Sequence, residues 1–274
     1  MAGHVIFKYL KDQGKYHVTG ITRSEKLDED NIVLDVTDFK ALEGVIALQR
    51  PDVIINVVGV LIGGSQKSPG NAILLNSYLP HFLSDACLRY GSKFIHISTD
   101  CVFSGSEGSY TESSFRDADD TYGRSKALGE VINDRDLTIR TSIIGPELKE
   151  KGEGLFDWFM KQSGAINGFS NAYWSGVTTL QLAKSINEIL DSSLTALLHL
   201  SNNTKISKYD LLVLFKQIWN KKNIDIVRLD TYAKDKSLIN NRSGEGRPIP
   251  GYEAMLNEMN LFMRESSYYA KYYN

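Results

Sequence analysis

Tyr122 and Lys126 are the residues whose types and spacing point most directly to chemistry. They lie in the segment Tyr122-Gly123-Arg124-Ser125-Lys126, and a separation of four puts them on one face of a helix, one turn apart. An ammonium group beside a phenol lowers the pKa of the phenol, which can then exchange a proton with a substrate oxygen near neutral pH. Because the chain has 14 tyrosines, an ordinary pair on a helix surface is the alternative interpretation.

Two hydroxyl residues precede this pair at the end of an apolar segment. Ile95-His96-Ile97 is typical of a buried strand, which would deliver Ser98 and Thr99 to its carboxyl end. A hydroxyl at that edge can orient a substrate carbonyl through a hydrogen bond, or it can simply satisfy backbone groups of a turn. His96 lies inside the apolar strand, and we expect it to be a satisfied core residue rather than a ligand.

The elements that must position these groups alternate between strand and helix through residue 145. This alternation predicts a doubly wound parallel α/β sheet of the Rossmann type, whose ligands bind at the carboxyl ends of the strands. The predicted segments are helix 5–13, strand 16–22, strand 32–34, a helix from 38 capped by Thr37, strand 53–58, helix 71–90 interrupted at Pro80, strand 94–98, helix 122–133 and strand 137–144.

The second half of the sequence has a looser pattern. We predict a dinucleotide-binding domain at residues 1–145 and a smaller C-terminal substrate-binding region at 146–274, with 177–200 returning to the first domain. The tyrosine-rich tail 267–273 fits either a segment packed on its own chain or an interfacial anchor, and its lack of a basic cluster favours packing.

Composition excludes several classes of protein. The 274 residues carry a net charge of 31 − 33 = −2 and are 42% hydrophobic, which excludes disordered and collagen-like chains. Cys87 and Cys101 are too few for a disulfide framework, and no apolar run has the length of a membrane helix. The five histidines are scattered, so no metal site is predicted. We expect a cytoplasmic protein without nucleic-acid or membrane partners.

Taken together, these motifs resemble the extended short-chain dehydrogenase/reductases, and within them the dTDP-4-dehydrorhamnose reductases and related nucleotide-sugar reductases. The resemblance covers nearly the whole chain. It rests on Leu34-Asp35-Val36-Thr37-Asp38, Asn56-Val57-Val58-Gly59, Asn76 with Pro80, Ser98-Thr99-Asp100 with Val102-Phe103, Tyr110-Thr111-Glu112, Tyr122 to Lys126 with Gly129-Glu130, Arg140-Thr141-Ser142, Trp174-Ser175-Gly176-Val177 and Tyr252-Glu253-Ala254-Met255-Leu256.

The resemblance implies hydride transfer from a reduced nicotinamide to the 4-keto carbon of a nucleotide-linked deoxysugar. Thr99 would hydrogen-bond the ketone oxygen, Tyr122 would protonate it, and Lys126 would hold the nicotinamide ribose. The implied cofactor-binding residues are Gly3, Thr22, Arg23, Asp35, Val36, Asn56, Val57, Val58, Gly59, Asn76, Tyr122 and Lys126. The implied substrate-binding residues are Thr99, Asp100, Cys101, Ile143 and Trp174.

Arg23 favours NADPH, with NADH as the alternative. The predicted strand ending at Thr22 is followed by no acid that would bind ribose hydroxyls, and a guanidinium there suits a 2′-phosphate. Arg242 and Arg247 are candidates for clamping a diphosphate, although a surface role suits each equally well.

Two positions depart from the resembled reductases. Cys101 and Ile143 stand where the family has aromatic residues near the sugar, which puts the rhamnose-precursor substrate in doubt. We expect Cys101 to be a small apolar filler rather than a reactive thiol. Trp174 fits a sugar pocket and an interdomain core equally well.

Two other functions suit the same fold. A nucleotide-sugar epimerase or dehydratase would show no net consumption of NADPH, and no Asp-Glu pair follows Ser98-Thr99, which disfavours dehydration. A non-catalytic relative resembling the regulatory subunit of methionine adenosyltransferase would bind a partner instead. A homodimer is a further expectation.

The beginning of the sequence suggests a shortened fold. Gly3 matches the last glycine of the family's Gly-x-x-Gly-x-x-Gly turn, so the sheet is expected to lack its first strand. We therefore expect Met1 to be an internal residue of a longer product or a misassigned start.

Overall fold

The computed structural model describes residues 1–242 and 248–273. Its first half follows the predicted alternation of helices and strands. The elements are α1 (Ala2–Asp12), β1 (Gly20–Thr22), β2 (Asn31–Val33), α2 (Phe39–Gln49), β3 (Val53–Asn56), α3 (Ile62–Lys67), α4 (Pro69–Ala72), α5 (Leu79–Tyr90), β4 (Lys93–Thr99), α6 (Thr121–Leu128), β5 (Leu137–Thr141) and β6 (Ile143–Ile144).

The second half adds four helices and five strands within the described ranges. They are α7 (Leu155–Met160), β7 (Gly164–Trp174), β8 (Val177–Thr178), α8 (Thr179–Leu190), β9 (Ala196–His199), β10 (Ile206–Ser207), α9 (Lys208–Ile218), β11 (Ile224–Asp235) and α10 (Tyr252–Arg264).

The main sheet is parallel, in the strand order β3-β4-β5-β9. Its side chains alternate between two helical layers. Ile95 faces α1 and α8, whereas Phe94 faces α2 and α5. β1 and β2 form a separate parallel pair, and no strand of the described ranges joins them to β3. The predicted α/β class with a parallel sheet is confirmed.

A second, smaller sheet has the order β10-β7-β11. It carries an aromatic core with α7, α9 and α10, and the C-terminal tyrosines join that core. Tyr269 is fully buried, and the Tyr272 hydroxyl donates to Asp157 Oδ1 at 2.7 Å. The tail therefore packs on its own chain. No helix in the described part of the chain is long and apolar enough to span a membrane.

Three local predictions need correction. The cap of α2 is Asp38, which accepts from the Ala41 amide, because the Thr37 hydroxyl instead donates to Asp35. β1 begins at Gly20 rather than Tyr16. β7 was not predicted, because its buried face carries Gly168, Ser170 and Ala172, which are too small or polar to give an apolar alternation.

The predicted helix 122–133 ends at Leu128. Gly129 stops it where the chain passes very close to Asn76, since a Cβ on Gly129 would lie 1.9 Å from the Asn76 carbonyl oxygen. The interruption expected at Pro80 is present as a π-helical stretch, Ile73–Tyr78, immediately before α5. This stretch supplies the surface on which the end of α6 rests.

Candidate active site

The carboxyl end of β4 and the start of α6 meet at one edge of the main sheet. Asp120 caps α6 by accepting from the Gly123 amide at 2.9 Å. Gly123 lies so close to the turn after β4 that a Cβ would be 2.2 Å from the carbonyl oxygen of Cys101. Only glycine permits this approach, which brings the first turn of α6 against Thr99 and Cys101.

Thr99 and Tyr122 come together at this edge. The Thr99 hydroxyl lies close enough to the Tyr122 phenol to act on its pKa. The Thr99 hydroxyl also donates to Asp100 Oδ1 at 3.1 Å and accepts from the Cys101 amide at 3.1 Å. A threonine and a tyrosine hydroxyl thus converge on one point at the end of a parallel strand, where a substrate oxygen could receive both hydrogen bonds.

The phenol of Tyr122 is held in its protonated form. Burial raises its pKa, the neighbouring Cys101 acts in the same direction, and the Thr99 hydrogen bond only partly opposes them. The prediction that Lys126 lowers this pKa is therefore wrong for the protein without ligands. The reason is that burial outweighs the other influences on the phenol, while the Lys126 amine donates to the backbone of β4.

Lys126 is 4% exposed. Its Nζ donates to the Ile97 carbonyl at 2.7 Å and lies 3.3 Å from His96 Nε2. It forms no ion pair with a carboxylate of the described residues. Burial lowers the pKa of Lys126 to about 8, and the negative charge of Glu130 only partly opposes this.

His96 connects Lys126 to the end of β3. It is fully buried, and its Nδ1 lies 3.2 Å from Asn56 Nδ2, its neighbour across the sheet. Asn56 Oδ1 in turn accepts from the Val58 amide at 3.0 Å. Burial holds the pKa of His96 well below its usual value. The expected core histidine is thus buried, and it also links two candidate site residues that sequence reasoning did not connect.

Asn76 fixes the loop that follows β3. Its amide donates to the Val60 carbonyl at 3.0 Å and to Ser125 Oγ at 3.1 Å, while its oxygen accepts from the Val60 amide at 2.8 Å. Gly59 lies against it, because a Cβ there would be 3.3 Å from Asn76 Oδ1. Asn76 therefore holds Gly59 and Val60 next to α6.

The remaining cofactor candidates lie near the ends of β1 and β2. Thr22 donates to the Glu25 carbonyl at 2.5 Å. Asp35 accepts from the backbone and side chain of Thr37, and these bonds, with a smaller contribution from the charge of Arg23, lower its pKa. Val36 packs on the α2 layer. Arg23 is exposed and forms no ion pair within the described part of the chain.

Gly3 brings α1 close to the end of β3. A Cβ on Gly3 would lie 3.1 Å from Val57 Cγ2, so the start of the helix and the strand end are nearly in contact.

The substrate candidates differ in their surroundings. Asp100 is buried, and burial raises the pKa of its carboxyl against the opposing charges of Lys236 and Lys208. Burial raises the pKa of Cys101 to about 12, which keeps it a thiol. Ile143 is partly buried beside the main core.

Trp174 is 6% exposed and belongs to the aromatic core of the second sheet. Its indole nitrogen donates to Ser142 Oγ at 2.8 Å. Trp174 was predicted to lie either in a sugar pocket or in an interdomain core, and the structure supports a position in a core.

Sequence reasoning missed two lysines. Lys208 begins α9 and Lys236 follows β11, and both charges act on Asp100. Neither belongs to a motif, so only the fold brings them to this place.

Of the two candidate clamp arginines, the structure describes Arg242, which does not join this edge. Arg242 donates to the Thr195 and Leu197 carbonyls at 2.6 and 3.0 Å, around the start of β9 and away from the carboxyl edge. Arg247 lies outside the described residues.

A cavity of about 490 Å³ at the opposite, amino-terminal edge is lined by Gly91, Lys93 and Thr195, among others. Within residues 1–242 and 248–273, no cluster of His, Cys, Asp or Glu could hold a metal ion.

Comparisons with known proteins agree with the fold and the motifs. A dTDP-4-dehydrorhamnose reductase from Aggregatibacter actinomycetemcomitans is 30% identical over 146 residues, which is 51% of this chain and 47% of that protein. The chain thus spans about half the length of this curated relative. Methionine adenosyltransferase 2 subunit beta from Xenopus laevis is 24% identical over 244 residues, covering 80% of this chain and 70% of that protein.

A solved structure shares the fold. The dTDP-4-dehydrorhamnose reductase of Bacillus anthracis in complex with NADP has a TM-score of 0.74 and 21% identity, with 85% of this chain and 89% of that chain covered. The sequence model of the RmlD substrate binding domain matches residues 2–237. The chain therefore belongs to the RmlD substrate binding domain family.

Proposed function

We propose that this protein is an NADPH-dependent reductase of the 4-keto group of a nucleotide-linked deoxysugar. The observation that carries the proposal is the convergence of the Thr99 and Tyr122 hydroxyls beside the buried Lys126, at the carboxyl edge of a parallel sheet. The relatedness to dTDP-4-dehydrorhamnose reductases supports the same reaction class. Cys101 and Ile143 leave the identity of the sugar open.

The residues at this edge fit a nicotinamide dinucleotide phosphate. Arg23 offers an exposed cation for a 2′-phosphate. Gly3 and Gly59 add no side chain at the start of α1 and after β3, where the chain is already closely packed. The B. anthracis relative binds NADP, which supports the choice of cofactor. When bound, the reduced nicotinamide supplies the hydride.

The chain's own residues supply orientation and the proton. The Thr99 hydroxyl, which now donates to Asp100, would turn to the ketone oxygen. Tyr122 is protonated at neutral pH because burial raises its pKa, so its Oη carries the proton that the developing alkoxide needs. Lys126 lies one helical turn from Tyr122. In its ammonium form it would place a positive charge near the developing alkoxide.

We further propose the domain division at 145, with residues 177–200 belonging to the first domain, since β9 pairs with β5 in the main sheet. A cytoplasmic location and a homodimer stay predictions.

The decisive experiment follows NADPH consumption with a dTDP-4-keto-6-deoxyhexose. We expect turnover by the wild type and a loss of kcat of about 100- to 10,000-fold for Tyr122→Phe, because the proton donor is removed. Tyr90→Phe, at the end of α5, is the matched control and should keep wild-type activity. Absence of turnover with every nucleotide 4-ketosugar tested would refute the proposal.

NADPH binding also distinguishes this proposal from a non-catalytic role. The similarity to methionine adenosyltransferase 2 subunit beta makes such a role the alternative. We expect Arg23→Ala to weaken NADPH binding about tenfold, equivalent to ~1.4 kcal/mol, with little change for NADH. Calorimetry with both cofactors measures this. Equal effects on the two cofactors would show that Arg23 does not read the phosphate.

A further inference from the structure

Two side chains, those of Asn56 and His96, link the loop after β3 to the candidate catalytic lysine, Lys126. The Val58 amide donates to Asn56 Oδ1 at 3.0 Å, which fixes the orientation of the Asn56 side chain. The Asn56 nitrogen therefore faces His96 Nδ1, at 3.2 Å. An amide nitrogen can only donate, so His96 Nδ1 must accept.

This orientation determines where the histidine carries its hydrogen. A neutral imidazole has one N–H, so with Nδ1 as acceptor the hydrogen is on Nε2. His96 Nε2 lies 3.3 Å from Lys126 Nζ. An ammonium group has no lone pair to accept that hydrogen, whereas a neutral amine does. The arrangement of Asn56 and His96 therefore matches a neutral Lys126.

Protonation of Lys126 forces this arrangement to change. An ammonium at Nζ needs an acceptor at His96 Nε2, which moves the imidazole hydrogen to Nδ1. Asn56 must then turn its oxygen toward His96 and its nitrogen toward the Val58 amide, so that two donors face each other. The Val58 N–H loses its acceptor, which is unfavourable unless another acceptor replaces it.

We propose that Asn56 and His96 are positioning residues that couple the protonation of Lys126 to the hydrogen bond of the Val58 amide. A bound group that offers an acceptor oxygen to Val58 would favour the ammonium form of Lys126, and by linkage the ammonium form would favour that group. One proton is taken up at Lys126 Nζ, and the imidazole changes tautomer without net gain or loss. The role assigned to Lys126 rests on the proposed function.

The surrounding charges are consistent with a lysine whose protonation state changes near neutral pH. Glu130 favours the ammonium form of Lys126, and burial opposes it, leaving the pKa of Lys126 at about 8. Burial, with the charges of Lys126 and His81, lowers the pKa of His96 well below its usual value, and a backbone hydrogen bond of Asn56 only partly opposes them, so the imidazole is neutral near neutral pH. The proton that moves in this range therefore belongs to Lys126.

The tautomer of His96 tests the proposal without any ligand. The 274-residue protein, labelled with ¹⁵N in its five histidines, is titrated while the ring nitrogens are followed by NMR, and His96→Gln identifies the His96 signals. We expect the Nε2–H tautomer above about pH 8 and the Nδ1–H tautomer below it, changing together with Lys126. A single tautomer through the titration of Lys126 would overturn the proposal.

A second measurement follows the pKa of Lys126 in variants by NMR of its side chain. Glutamine at position 96 can turn its oxygen to an ammonium independently of Asn56, so His96→Gln should raise this pKa by about one unit, or tenfold in proton affinity. His199→Gln, in β9 beside Arg140, is the matched control and should leave the pKa of Lys126 unchanged. An unchanged pKa in His96→Gln also overturns the proposal.

These outcomes are separable from those of the proposed function. Both measurements use the protein without cofactor or substrate, so an inactive protein could still show the coupled tautomer change. If His96→Gln does not fold, ¹⁵N labelling of Asn56→Ser and wild-type protein still assigns and tests the tautomer. Conversely, turnover without any tautomer change would leave the reductase proposal intact and remove the coupling.

Discussion

Two cation–histidine pairs lie side by side on the same face of the main sheet, and they are built differently. Lys126 meets His96 of β4, and Arg140 of β5 meets His199 of β9. Both cations are nearly inaccessible, with 4% exposure for Lys126 and 1% for Arg140. Arg140 has a buried carboxylate as its partner, whereas Lys126 has none within the described part of the chain.

The Arg140 pair is fully satisfied. Glu130 accepts from Arg140 Nε at 2.8 Å and from Nη2 at 2.7 Å. His199 Nε2 accepts from Arg140 Nη1 at 2.9 Å, and its Nδ1 donates to the Ile239 carbonyl at 3.0 Å. One tautomer of His199 thus meets both partners, and burial with the Arg140 charge lowers its pKa to about 4.

The buried carboxylate of Glu130 accounts for the contrast between the two pairs. Burial alone would raise the pKa of Glu130, but the bonds and charge of Arg140, with Ser98 and Arg116, hold it below the usual value. The charges of Glu130 and Arg140 therefore do not change near neutral pH, and their ion pair stabilises the fold. At Lys126 the compensating partner is a carbonyl and an imidazole, so its charge can change near neutral pH.

The largest expected effect comes from removing the carboxylate. Glu130→Gln leaves Arg140 as a buried cation without its counter-charge, which we expect to cost about 3–5 kcal/mol in the free energy of unfolding. Urea denaturation at pH 7 measures this. Lys126→Met is the comparison, since it removes a poorly compensated charge and should leave stability equal or higher while abolishing turnover. Equal losses in the two variants would contradict the distinction.

The pH dependence of stability gives the next largest effect. The pKa of Lys126 is lowered from 10.5 to about 8 on folding, so between these values the unfolded chain binds more protons and stability rises with pH. Relative to Lys126→Met, the wild type should gain about 3 kcal/mol from pH 8 to 10.5. Denaturation curves of both proteins across this range test it. A constant difference would show that Lys126 is not perturbed.

Much of this architecture follows from local pattern. The apolar runs ending at Asn56 and Thr99 predict adjacent parallel strands, and the structure brings the two strand ends together. The spacing of Tyr122 and Lys126 likewise predicts one helical face. Such features depend on residues close in sequence, and periodicity reports them directly.

Other features depend on the folded environment and could not be anticipated. The direction of the Tyr122 pKa shift is set by burial, which sequence spacing does not report. The pairing of Asn56 with His96 requires the register of β3 against β4, and that of His96 with Lys126 requires the position of α6. Glu130 is next to a glycine in sequence, yet the early end of α6 turns it into the core toward Arg140.

The smallest effect concerns Ser98, which neighbours Thr99 in sequence but belongs to the Arg140 pair. Its hydroxyl donates to Glu130 Oε1 at 2.7 Å, and that oxygen keeps its bond from Arg140 when the hydroxyl is removed. Ser98→Ala should therefore cost about 1–2 kcal/mol in unfolding free energy and change kcat by less than about twofold. Thr99→Val is the matched variant. It should cost a similar amount of stability, because the Cys101 amide loses its acceptor, but it should also lower kcat by at least about tenfold because the hydrogen bond to the reacting oxygen is lost. A large loss of kcat in Ser98→Ala, with unchanged stability, would place Ser98 in the active site. It would contradict the assignment of Ser98 to the Arg140 pair.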